Sequence, residues 1–61
     1  MPRARLSSVR TAVAELTLEV TALAEQENDA GNEDLAHRLY EVERSLQAAG
    51  RRLEVVLRGL R

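Results

Sequence analysis

The sequence predicts an all-α protein: an antiparallel helical hairpin that pairs with a second copy into an antiparallel four-helix bundle. Three observations predict it. Apolar residues recur at alternating steps of three and four in two long runs. A cluster of turn formers separates those runs. Folding the chain about Gly31 sets the two runs against each other, residue for residue. The 61 residues make one domain, 1–61.

The first run reads Leu6, Val9, Val13, Leu16, Val20, Leu23. Alternating steps of three and four trace a heptad seam along one side of a helix, which places the first helix over about 4–28. The opening stretch MPRARLSSVRTAVA lacks acids until Glu15, the composition of a transit peptide. The apolar stripe passes straight through it, so it reads as helix instead.

The turn, about 29–32, falls in Asn28-Asp29-Ala30-Gly31-Asn32. Gly31 suits the left-handed residue that closes a helix. Asn32 suits the N-cap of the next one, with Glu33 and Asp34 in its first turn. The second helix, about 33–59, carries the seam Leu35, Leu39, Val42, Leu46, Ala49, Leu53, Val56 and Leu60.

Folded at Gly31, Leu6 faces Val56, Val9 faces Leu53, Val13 faces Ala49, Leu16 faces Leu46, Val20 faces Val42, and Leu23 faces Leu39. The residue numbers of each pair sum to 62, twice 31. Ala12 falls opposite Gly50, so the waist of the hairpin is small. A glycine inside a helix costs about 1 kcal/mol relative to alanine, and close approach of the two backbones is the expected compensation. Ala14, Leu18 and Ala22, with Tyr40, Val55 and Leu57, lie off the two seams.

A chain this short buries little surface and needs a helper: a disulfide, a metal or a partner chain. There is no cysteine and one histidine, which removes disulfides, thiolate metal sites and multi-histidine sites within one chain. A partner chain remains. The expected oligomer core is therefore the double seam from Leu6 to Leu23 and from Leu35 to Val56. The expected partner is the chain itself, as a homodimer.

Charge is uneven along the chain. Residues 1–23 carry a net +1, residues 24–43 a net −6 and residues 44–61 a net +4. In a hairpin the turn becomes an acidic pole and the two ends a basic one. On the second helix the order suits the helix dipole, and Glu33–His37, Asp34–Arg38 and Glu54–Arg58 have the spacing of favourable pairs. On the first helix the order is reversed. Within the hairpin, Arg10 falls opposite Arg52 and Glu19 opposite Glu43, which are like charges. An antiparallel pair of hairpins would instead set Arg5, Arg10 and Arg52 beside Glu25, Glu27 and Asp29 of the other copy.

Other chemistry fits poorly. Glu25, Glu27 and Asp29 fill positions 1, 3 and 5 of a calcium loop, but position 6 is Ala30 and position 12 is Ala36. Asp34 and His37 have the acid-x-x-His spacing of di-iron bundles, yet both fall outside the seam. No nucleophile–base arrangement or phosphate-binding glycine loop is present. The expectation is a non-enzymatic, cytoplasmic module without a cofactor, acting in protein–protein interaction, as a scaffold or as a regulator.

All nine basic residues are arginine. Arg3, Arg5, Arg10, Arg51, Arg52 and Arg58, with Arg61, gather at the basic end as candidate contacts for an anion or a partner. They carry the alternative reading, a small RNA- or DNA-binding regulator. Tyr40 is the sole aromatic, so no platform for base stacking exists, and the net charge of −1 disfavours a general polyanion binder. No apolar run approaches the roughly 18 residues of a spanning helix, and no membrane role is expected. In size and layout the chain resembles the plasmid repressor-of-primer family, antiparallel dimers of one helical hairpin that bind RNA on a bundle face. The resemblance is one of architecture and carries over no residue.

Overall fold

The computed structural model describes residues 2–60 and contains two α-helices, α1 (Arg3–Asp29) and α2 (Glu33–Gly59). They pack against each other along their length into a rod with Cα extents of 48 × 14 × 10 Å. Both boundaries fall within a residue of those read from the sequence. Pro2 precedes α1, where its missing N–H costs nothing, and its carbonyl accepts the first helical bond from Leu6 at 2.9 Å.

The turn is a Schellman closure. Gly31 has φ +89°. Its N–H bonds the Asn28 carbonyl at 3.1 Å, and the Asn32 N–H bonds the Glu27 carbonyl at 2.8 Å. The apolar contact that often accompanies this motif is replaced by a polar one: the Asn32 amide lies 3.4 Å from both Glu27 carboxylate oxygens. Asn32 does cap α2, but through its carbonyl, which accepts from Ala36 at 2.9 Å, and not through its side chain.

The helices meet on a stripe displaced from the expected seam. On α1 the residues turned inward are Leu6, Arg10, Val13, Thr17, Val20, Ala24 and Glu27. On α2 they are Ala36, Leu39, Glu43, Leu46, Gly50, Leu53 and Leu57, with Leu60 just past its end; Ser7, Thr21, Tyr40, Ala48 and Ala49 are half-buried beside these stripes. Every other member of the expected seam is replaced by the residue that follows it. Leu57, off the expected seam, is buried, as are Ala24 and Ala36, while Val56 beside it is 48% exposed. The small side chains of Ala24 and Ala36, both buried, suit a close contact near the turn.

The cross-helix register shifts too. Arg10 pairs with Glu54, Thr21 with Glu43, and Val13 lies nearest Gly50. These pairs sum to 63 or 64, not 62. Side chains on a helix lean toward its N-terminus. In an antiparallel pair both helices lean toward lower numbers, so side chains meet about one residue later on each helix than the backbones do. This lean removes the like-charge clashes expected from backbone register. Arg10 meets Glu54 at 3.8 Å, and Glu43 meets the Thr21 hydroxyl. That hydroxyl also reaches the Thr17 carbonyl at 2.9 Å, and the Thr17 hydroxyl donates to Val13 at 2.7 Å.

At the other end the Arg3 guanidinium donates to the carbonyls of Leu57 (2.8 Å) and Leu60 (3.1 Å). The last carbonyls of a helix lack intrahelical partners and carry its negative dipole end. The arginine at the start of α1 thus serves the end of α2.

The hairpin leaves much surface open. Its accessible area is 4771 Å², against about 3,950 Å² expected for a compact monomer of its mass. No large side chain among the described residues is fully buried.

Candidate functional site

The displacement of the contact stripe divides the expected core residues into two sets. Leu6, Val13, Val20, Leu39, Leu46, Ala49 and Leu53 are half-buried. Val9, Leu16, Leu23, Leu35, Val42 and Val56 are 46–50% exposed. Each of the second set immediately precedes a contact residue, so each points about 100° to the same side of the contact stripe. A two-fold axis perpendicular to the plane of an antiparallel pair exchanges its helices. Residues offset in the same angular sense on both helices therefore emerge on one broad face. That face carries an aliphatic side chain from every heptad of α1 and from three of the four on α2, with Ala49 at the fourth. It runs the length of the rod.

The opposite face is formed by the residues that follow the contact residues. Ala14 and Leu18 follow Val13 and Thr17; Gln47, Arg51, Glu54 and Arg58 follow Leu46, Gly50, Leu53 and Leu57. With Val55 they border an open groove of about 820 Å³ in the half of the rod nearer the chain ends. Leu18 is 72% and Val55 60% exposed. Sequence reading placed these two residues off the seam but did not unite them with Gly50, Gln47 and Glu54. The signal was present as the position after each contact residue, and it becomes legible once the contact stripe is known.

The arginines singled out from the sequence take different situations. Arg3 holds carbonyls of α2, and Arg10 is half-buried against Glu54. Arg5, Arg51, Arg52 and Arg58 are exposed and make no ion pair among the described residues. Arg61 lies outside the described residues. The acids of the turn do not converge. Glu25 and Asp29 are exposed, and Glu27 is engaged with Asn32. His37 faces Glu41 at 3.9 Å and not Glu33, and the Asp34–Arg38 and Glu54–Arg58 pairs are not formed. Among the described residues no group of three or more His, Cys, Asp or Glu is placed to hold a metal ion, and no helix is long and apolar enough to cross a membrane.

Compared with protein-family models, curated proteins and solved structures, the chain matches none.

Proposed function

We infer that the hairpin is a self-associating module: a homodimeric four-helix bundle serving as a protein-interaction, scaffold or regulatory element. One observation carries this reading. Six large aliphatic side chains, each about half exposed, form a single face along a chain with three buried apolar residues among those described. Completing the burial of six such side chains is worth roughly 5–9 kcal/mol per copy at 1.5–3 kcal/mol for each full burial. A face 48 Å by 14 Å in Cα extent, covered by a second copy, hides on the order of 1,300 Å² in total, within the roughly 1,200–2,000 Å² of a stable interface.

Charge favours the antiparallel arrangement. The acidic turn and the basic ends stand at opposite poles of the rod, far beyond a screening length of about 8 Å. Stacked antiparallel, the Arg5 and Arg52 end of one copy comes near the acid-rich turn of the second copy, while Arg10 stays with Glu54 on the groove side. A parallel stack sets like pole on like pole.

Sedimentation equilibrium is expected to give twice the chain mass of 6.8 kDa. A spin label at Ala30→Cys, in the turn, reads orientation. The expected label separation approaches the 48 Å length of the rod, and a separation under about 20 Å would overturn the antiparallel arrangement.

The exposure of Arg5, Arg51, Arg52 and Arg58 supports the second reading, a nucleic-acid-binding regulator. It requires salt-dependent affinity for RNA or DNA. Absence of binding to a mixed-sequence oligonucleotide at 50 mM salt removes it.

A further inference from the structure

Gly50 lies in the middle of α2, where glycine costs about 1 kcal/mol relative to alanine. The hairpin does not require it. A Cβ built there meets nothing nearer than Val13 Cγ1 at 4.0 Å, an ordinary contact. Nor does Gly50 lie on the open aliphatic face, which is formed by the residues one step before the contact stripe. Gly50 lines the groove on the other side. Its missing side chain leaves the floor of the groove open down to the α2 backbone.

The chemistry around Gly50 defines the groove's occupant. The floor is apolar, with Val13, Ala14 and Leu46, flanked by the exposed Leu18 and Val55. The rim carries Arg10, Arg51 and Arg58 against Glu54 alone. Arg51 and Arg58 are seven residues apart, two turns along one side of α2. The groove spans Arg10–Leu18 on α1 and Leu46–Arg58 on α2, about 12 to 18 Å at 1.5 Å per residue. That length and shape match two to three turns of a third helix packed between two.

We propose that this groove docks an amphipathic helix of a partner protein, with small apolar residues on its inner face and acidic residues seven apart along one flank. The occupant is not a second copy of this chain. At and beside the acid-rich end of the rod, Leu23, Leu35 and Val42 stand on the opposite, self-association face, and Leu39 is half-buried.

The test uses the full chain and two synthetic 14-residue helices with an alanine/leucine inner face. One carries glutamates seven residues apart on its flank, the other lysines at the same places. Fluorescence anisotropy at 150 mM salt is expected to show the glutamate helix binding at least tenfold more tightly than the lysine helix. The double substitution Arg51→Glu/Arg58→Glu should reverse that preference. Gly50→Leu, which adds a strong helix former and keeps the fold by circular dichroism, should weaken binding at least tenfold without changing the mass in solution. Equal binding of the two helices overturns the proposal, as does a preference that survives charge reversal. Binding lost with Leu16→Glu but kept with Gly50→Leu places the helix on the other face and also overturns it. So does displacement of the glutamate helix by a short DNA strand through the same two arginines, an outcome that favours a polyanion ligand.

Discussion

The substitution Leu16→Glu probes the open face at its centre. Leu16 is 49% exposed in the hairpin, so the proposed association would complete the second half of its burial. That half is worth about 0.7–1.5 kcal/mol per copy, or roughly 1.5–3 kcal/mol per dimer. Glutamate loses this term and adds a carboxylate that the interface must desolvate without a partner, at a cost of at least about 2 kcal/mol per copy. The dimer should weaken by on the order of 5–7 kcal/mol, roughly four orders of magnitude or more in Kd. Sedimentation equilibrium at about 50 μM chain should then report the monomer mass of 6.8 kDa for the variant and twice that for the wild type. Leu18→Glu is the control. Leu18 is 72% exposed on the opposite face, and its substitution should leave the mass doubled. Thermal unfolding adds a second measure, since the Tm of a dimer rises with protein concentration. A Leu16→Glu chain that stays dimeric refutes the reasoning. So does a wild-type chain that remains at 6.8 kDa and unfolds cooperatively at a concentration-independent temperature.

Three further outcomes are expected. Gly31→Ala forces φ +89° on an L side chain. Open space surrounds the new Cβ, so the penalty is the backbone strain of about 1–2 kcal/mol, a fall in Tm of several degrees by calorimetry. Gly50→Ala acts in the opposite direction: its methyl group fits at 4.0 Å from Val13, and removal of the helix-interior glycine should stabilise the fold by about 1 kcal/mol in urea titration. Arg3→Ala uncaps the Leu57 and Leu60 carbonyls. Its cost should be modest, roughly 0.5–1 kcal/mol, and confined to the last turn of α2, where amide exchange should quicken while the centre of the rod is unchanged.

The elements themselves were legible because their causes are local. A three–four apolar period specifies a helix wherever the rest of the chain goes. Gly31 followed by Asn32 and two acids stops one helix and starts another through interactions within six residues. Folding about Gly31 also correctly paired the levels of the rod to within two residues. The contact stripe was not legible in the same way. A seam of alternating three and four steps has two flanks, and the residues on either side compete to meet the other helix. Thr17, Glu43 and Arg10 are polar, so apolar periodicity alone favours their neighbours Leu16, Val42 and Val9. Yet the hydroxyls of Thr17 and Thr21 bond within α1, and Arg10 and Glu43 find partners on the other helix.

By itself, the sequence determined that this protein is two long helices joined by a glycine-closed turn, with its charge sorted to opposite ends. These properties follow from backbone preference and periodicity, which act over a few residues. Tertiary structure decided which side of each helix turns inward, and so which aliphatics remain as an open face and where the groove at Gly50 forms. It also explained the reversed charges of α1. An isolated helix is disfavoured by arginine at its start and acids at its end. In an antiparallel pair those same charges lie beside the opposite ends of the neighbouring helix. Arg3 there meets the last carbonyls of α2, and Glu27 meets the Asn32 that begins it. Contacts between residues more than fifty apart in the chain depend on the lean of side chains and the bulk at the crossing, and neither is written in the spacing of residues along one helix.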